Sequence, residues 1–396
     1  MFLPLSDAPN PGGRPYVTYG LIAANVLVYV LVSFPLGTRP PDTRSPAFQA
    51  YVELVQEQLP PGVPLRAALA NTSAYDLYVF EHGYKPAAPQ LADLFYSLFL
   101  HGGFLHLFGN MLFLWIYGDN VEYRLGRLAY LLWYLATGVA ATLFFALFAL
   151  DSTVPLVGAS GAISGVLGFY FLWFPRNTVR LFVFLFPFFM NVVAVRARLV
   201  LGVYLFVDNV LPFLISTGGG GGGVAHGAHI GGFVAGIAGA WMIDRRSVQS
   251  RKAGYTTDAA LDEPPAPAIG AAIEEGDMAR AATAYFALPA DEARRALRPD
   301  PSLALGRWLA ANGHGDAALV VYRRHLRDYP AHSTAAAAHL GAGLVQLDQL
   351  GQVAPAYQHF LDALDMDPDA DTAARARAAL ARIAALQKYN IGRPRT

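Results

Sequence analysis

Apolar residues gather in long runs over the first 250 positions and in a helical rhythm over the rest. A bilayer core calls for about 20 apolar residues as a helix. Six runs approach that length: Tyr16–Phe34, about Leu91–Tyr117, Arg127–Leu150, Ser160–Phe174, Leu199–Ile215 and Ala225–Ile243. A long Pro-rich, polar loop separates the first two. The stretch Val179–Val195 is apolar but short, broken by Pro187 and Asn191 and flanked by arginines, and reads as a re-entrant or interfacial hairpin. The pattern predicts an all-α polytopic membrane domain over residues 16–246, after a short N-terminal segment, 1–15. A linker, 247–267, leads to a soluble helical domain, 268–396.

That last domain carries a loose internal repeat. Gly276-Asp277…Tyr285…Pro289, Gly315-Asp316…Tyr322…Pro330 and Gly351-Gln352…Tyr357…Pro368 follow one another, with the tyrosines 37 and 35 residues apart. The period is near that of tetratricopeptide-type helical pairs, and small Ala281, Ala317 and Ala356 suit close helix packing. A generic Ala-rich array of helical hairpins fits the same pattern.

Charge supports the division. Residues 1–250 hold 13 Lys+Arg and 12 Asp+Glu, while the remaining 146 residues hold 16 and 17. Net charge is zero and neither part is strongly basic, which argues against a nucleic-acid partner. With no cysteine, the chain has neither a disulfide framework nor a thiolate nucleophile. The polar, Pro/Gly-rich first 16 residues do not read as a cleavable signal peptide. Short loops on one side of the expected spans collect Arg14, Arg124, Arg127, Arg176, Arg180, Arg196, Arg198, Arg245 and Arg246, and the short loops on the other side hold none. By the positive-inside rule both termini and the helical tail are cytoplasmic. High Ala and Arg usage suggests a high-GC bacterium, hence a bacterial inner membrane.

Polar groups inside a span are expensive, so each is a candidate for function. Gly158-Ala159-Ser160-Gly161 opens the fourth span at its outer end. A serine at a helix N-terminus sits among unpaired N–H groups, where an oxyanion is favoured. Small residues there could equally serve helix packing alone. Ala228-His229-Ile230-Gly231-Gly232 lies at the outer end of the sixth span. Its glycines, with Gly223, Gly227 and Gly236, offer a smooth face to Gly161, Gly165 and Gly168, which would bring His229 to Ser160. A base beside a serine is the minimum that activates a hydroxyl, although a lone histidine can also be structural. In the outer half of the second span, His106 and Asn110 share a helical face and can both donate to an oxyanion. Interhelical bonding is the alternative. Glu122 and Arg124, at the inner end, read as anchors of a loop.

These motifs resemble those of the rhomboid family of intramembrane serine proteases: H-x-x-x-N at His106 and Asn110, G-x-x-V-E at Gly118–Glu122, G-A-S-G at Gly158–Gly161, and A-H-x-G-G at Ala228–Gly232. The resemblance implies a six-helix core and a Ser–His dyad with no acidic third member, Ser160 as nucleophile and His229 as base. It implies an oxyanion hole from His106, Asn110 and the Ser160 backbone beside Gly158, no cofactor, and single-pass transmembrane protein substrates in a lipid bilayer. Three departures stand out: Ser164 replaces an aromatic residue that often stacks on the dyad histidine, no Trp-Arg pair occupies the first outer loop, and His226 stands where an aromatic residue is common. A zinc site built on His101, His106, His226 and His229 is the chemical rival, without an H-E-x-x-H motif to support it. A catalytically inactive rhomboid-like binder of transmembrane clients is the other. The run Gly218–Gly223 is expected to be mobile and to gate water or substrate. The tail is expected to bind a cytoplasmic protein or peptide.

Overall fold

A computed structural model describes residues 2–11, 13–60, 62–185, 189–216, 226–250, 265–288, 292 and 296–391. It is mostly helical and divides into two compact units. The first takes residues 1–6, 13–175 and 179–240; the second takes residues 7–12, 176–178 and 241–396. Gly218–Gly223, the expected gate, lie outside the described residues.

Strand β1 (Phe2–Ala8) precedes helix α1 (Tyr16–Val28) of the first unit. α1 continues through a π-helical turn, Tyr29–Ser33, to make one apolar helix of 22 residues ending at Gly37. The long polar loop is not irregular throughout. Ser45 accepts a hydrogen bond from the Phe48 N–H and Pro46 follows it, starting α2 (Pro46–Gln58). Ser73 and Asp76 form a capping box at the head of α3 (Ala74–His82).

The expected second span divides. A short helical piece, Asp93–Phe99, turns by 92° at Gly102-Gly103 into α4 (Phe104–Leu125). Gly126, at φ +81°, turns the chain into α5 (Arg127–Ala146). α6 (Ser160–Trp173) follows. The Val179–Val195 region is a β-hairpin, β2 (Thr178–Leu185) and β3 (Phe189–Arg196), and β1 adds to β2 to make a three-stranded sheet. Short apolar runs such as those on either side of Pro187 can be strand or helix, and periodicity cannot separate the two. α7 (Ala197–Leu205) passes through a second π-turn, Phe206–Val210, to Leu211–Ser216. α8 (His226–Ser250) follows.

Helices stand at all six expected positions, but they are not equivalent. Tyr16–Gly37, Arg127–Ala146 and Ala197–Ile215 are long and apolar enough to cross a membrane, and the bent pair Asp93–Phe99 with Phe104–Leu125 makes a fourth. These helices leave apolar side chains in the open: Leu27 and Leu31 on α1, Leu128 and Leu132 on α5, Leu199 and Phe206 on α7. Such a belt suits acyl chains rather than water, and the chain is an integral membrane protein. α6 and α8 fall short. α6 has 14 residues, about 21 Å of helix, and is buried on almost every side. α8 spends its first turns on His226, Gly227, His229 and glycines.

α6 is packed by glycine. A methyl group at Gly232 or Gly236 of α8 would fall 2.1 Å from the Gly161 carbonyl oxygen or 2.0 Å from that of Gly165. The expected glycine face is thus the Gly232/Gly236 row. Gly227 and Gly231 turn instead to Phe213 and Phe144, and the open sides of Gly161 and Gly165 abut Ala141 and Thr137 of α5.

The second unit is helical: α9 (Pro265–Glu274), α10 (Met278–Ala287), α11 (Pro299–Ala311), α12 (Gly315–Asp328), α13 (Ala335–Leu344), α14 (Val353–Asp365) and α15 (Ala370–Ile391). Left-handed glycines at Gly276, Gly313 and Gly351 mark successive turns 37 and 38 residues apart. The turn glycine of the middle repeat is therefore Gly313, while Gly315 begins α12. Ala281, Ala317 and Ala356 are buried. Gly306 and Gly341 press on the ring of Tyr322 from two helices.

Candidate active site

The site lies in the first unit, where the N-terminal ends of α4, α6 and α8 meet. Ser160 is the first residue of α6. Before it, Gly158 takes φ +125°, a left-handed conformation that disfavours side chains, and its N–H donates to the Ser97 carbonyl at 2.8 Å. A methyl group at Gly158 would lie 2.8 Å from Cε1 and 3.0 Å from Nε2 of His106. Glycine therefore lets the backbone leading to the serine touch the imidazole of α4.

His106 lies in the first turn of α4. The Gly102 N–H donates to its Nδ1 at 3.4 Å. An Nδ1 that accepts leaves the proton on Nε2, the nitrogen facing Gly158. Asn110, one turn on, is buried, and its Nδ2 has no hydrogen-bond partner. A buried amide donor with nothing to bind costs stability, so the fold holds a donor in reserve.

From α8, His229 Nε2 stands 2.8 Å from Ser160 Oγ. His229 Nδ1 stands 2.6 Å from Oδ1 of Asn209, whose Nδ2 donates to the Tyr204 carbonyl at 2.9 Å. Ser160, His229, His106 and Asn110 share the wall of one cavity of about 680 Å³, with Tyr204 and a largely apolar remainder. A methyl group at Gly158 would also lie 3.6 Å from Ser160 Oγ. The five residues read from the sequence are thus brought together.

His101 and His106 have rings 5.2 Å apart, but among the described residues no three of the four histidines of the rival zinc site bring their ring nitrogens together as a ligand group. Both ring nitrogens of His229 are engaged. His101 is buried with its backbone tied to the Tyr75 hydroxyl, and its Nδ1 faces the Phe99 carbonyl. Among the described residues, one group has the composition of a metal site, and it lies in the second unit: His339, His359 and Asp362. There His339 Nδ1 is 2.9 Å from His359 Nδ1, and Asp362 is paired with Arg176 at 3.2 Å. Burial, then the nearby Arg176, pull the His339 imidazole down from its ordinary 6.5 to about 4.

At the far end of α4, Glu122 caps α1. Its carboxylate accepts from the N–H of Val17 at 3.0 Å, and from the N–H and hydroxyl of Thr18 at 2.7 and 2.8 Å. These are N–H groups a helix start leaves unpaired. The Arg124 guanidinium lies over Trp173, 4.1 Å from the ring centre.

Ser164 supplies no ring to His229; its hydroxyl lies 3.3 Å from that of Tyr204. The sequence reading missed Asn209. A signal was present, because Asp208-Asn209 is a polar pair inside an otherwise apolar run.

Residues 88–246 match the family model of the Rhomboid domain. The chain is similar to rhomboid protein 1, mitochondrial, of Saccharomyces cerevisiae, 39% identical over 95 residues, which cover 23% of this chain and 28% of that protein. It is also similar to RHOMBOID-like protein 4 of Arabidopsis thaliana, 36% identical over 144 residues, covering 35% of this chain and 30% of that one. The chain thus spans less than a third of the length of these curated relatives. No solved structure matches it.

Proposed function

From the rhomboid domain that residues 88–246 form, we propose that the chain is an intramembrane serine endopeptidase that cleaves transmembrane segments of other proteins near the outer membrane face. One observation carries the reading: Ser160 Oγ and His229 Nε2 lie 2.8 Å apart on a cavity that also holds the unpaired amide of Asn110. Ser160 attacks a peptide carbonyl while His229 Nε2 takes the hydroxyl proton. The oxyanion that forms is met by the Ser160 N–H at the head of α6, by His106 Nε2–H and by Asn110 Nδ2. His229 then protonates the leaving amine, and water hydrolyses the acyl-enzyme through the same base. A substrate helix must unwind first, because a hydrogen-bonded helix hides its carbonyls; small or helix-breaking residues near the cut would help.

The Arg distribution supports both termini on the cytoplasmic side. The bacterial inner membrane rests on composition alone, since one relative is mitochondrial by name and the other is from a plant. For the tail we propose a tetratricopeptide-like domain that binds a cytoplasmic protein or peptide. A hollow of about 260 Å³ lined by Arg307, Tyr322, Gly341, Gln349 and Arg375 supports that reading.

Labelling by a fluorophosphonate probe in detergent tests the activity. The wild type should label, and Ser160→Ala and His229→Ala should not. A folded wild type that fails to label would move the assignment to an inactive binder of transmembrane clients.

A further inference from the structure

A serine–histidine pair works only if the imidazole is held in one tautomer and one orientation. The nitrogen facing the serine must carry a lone pair, so the proton belongs on the other. Stacking on an aromatic ring could fix the ring plane, but the position one turn after Ser160 holds Ser164. A hydrogen bond to Nδ1 could fix both plane and tautomer.

We propose that Asn209 is the positioning residue of this site, holding His229 with the proton on Nδ1 and the lone pair on Nε2 toward Ser160. The inference rests on the dyad reading above and adds to it a third member from the fifth helical position. Asn209 is 1% exposed and lies in the π-turn Phe206–Val210 of α7. Its side chain can be read in one orientation only. Nδ2 lies 2.9 Å from the Tyr204 carbonyl oxygen, which is an acceptor, so the amide nitrogen must face that carbonyl. Oδ1 is then the atom 2.6 Å from His229 Nδ1. An amide oxygen only accepts, so Nδ1 must donate. The chain of dependence runs from the Tyr204 carbonyl through the Asn209 amide and the imidazole to Ser160 Oγ.

The same contact serves the next step. When Nε2 takes the serine proton, the new imidazolium keeps its Nδ1–H on Oδ1, whose partial negative charge faces it. An aspartate would stabilise the imidazolium more, but an ionised carboxylate in a buried, membrane-embedded position is costly. A neutral amide gives orientation without that charge. Neighbouring Asp208 is exposed and is not the partner.

The test compares full-length wild type, Asn209→Ala and Asn209→Asp in detergent, with two readouts. The first is the second-order rate of fluorophosphonate labelling across pH. The second is the ¹⁵N resonance pattern of the His229 ring, which reports its tautomer without requiring catalysis; His229→Ala assigns it. Asn209→Ala should label about 10- to 100-fold more slowly, a part of the 10²–10⁴ that general-base catalysis supplies, and its His229 pattern should shift to mixed tautomers. Asn209→Asp should restore much of the rate, with the acid limb of the pH profile moved to higher pH, because a carboxylate favours the imidazolium. A purely structural role would leave that limb in place.

Labelling of Asn209→Ala within threefold of wild type, with an unchanged ring pattern, overturns the proposal and leaves the protease reading standing. A wild type that never labels, but whose tautomer depends on Asn209, keeps the positioning role and removes the protease. Should Asn209→Ala fail to fold, Asn209→Asp decides: an unmoved acid limb refutes the role.

Discussion

The two ends of α4 carry polar clusters of similar make-up and opposite condition. At one end, Glu122 is buried and satisfied by three donors from α1. At the other, the Asn110 amide is buried and faces a cavity without a partner. The first arrangement is what a fold does with a polar group it needs for itself. The second costs free energy in the resting protein and is recovered only when something charged arrives, which is how preorganised oxyanion sites work. Burial alone does not distinguish a structural polar residue from a functional one; what sets Asn110 apart is an unpaired donor on the cavity of Ser160 and His229.

Mutation at the two ends should therefore have crossed effects. Asn110→Ala should slow probe labelling about 100- to 1000-fold, the usual loss for one oxyanion donor, while the melting temperature stays level or rises. A fall in melting temperature without a loss of rate would mean that Asn110 is a structural bond after all. Glu122→Ala strands the N–H groups of Val17 and Thr18 and should destabilise the fold by about 2–3 kcal/mol. Its labelling rate per folded molecule should match the wild type. A Glu122 variant that melts normally but labels slowly would break the comparison from the other side.

The smallest effect concerns the second unit and sharpens the point about satisfaction. His339 is kept neutral in the folded protein, with its pKa drawn down to about 4, mainly by burial and then by Arg176. Unfolding returns it to about 6.5. The unfolded state thus binds the extra proton between those values, so stability is full above about pH 6.5 and falls as the pH drops toward 4. Asp362, raised by burial, opposes this at the acid end by taking up a proton in the folded state. A net loss on the order of 1–2 kcal/mol is expected. Thermal melts from pH 7 to 4 should show it, and His339→Leu should flatten the slope. An identical slope in the variant would place the sensitivity elsewhere.

Much of the site was legible because its requirements are local. A serine at a helix start, a histidine beside glycines, and His106 with Asn110 one turn apart are short-range patterns that place themselves on the right helix ends. The glycines foretold close contact between α6 and α8, though not which row makes it, since the rotation of a helix depends on its neighbours. Asn209 was not legible in the same way. Its meaning depends on a histidine 20 residues on in sequence, and no periodicity encodes that meeting. The hairpin at Val179–Val195 was legible, but its strand pairing was not: an apolar run bounded by arginines gives the same signal for a membrane-surface loop as for two strands. The helices of the long loop had their caps in plain view at Ser45-Pro46 and Ser73–Asp76, but the surrounding prolines and polar residues masked them.

The glycine contacts of α6 have one more consequence. No side chain separates the Gly161 and Gly165 carbonyls from Gly232 and Gly236, so the gap between serine and histidine is gauged by main chain against main chain. Rotamers cannot readily loosen it, because there are none in the joint to change. The pair behaves like two teeth cut on meshed racks. The tolerance of the reaction to substitution is then governed less by the residues that do chemistry than by methyl-free positions up to two turns away, where an added carbon would act as a shim.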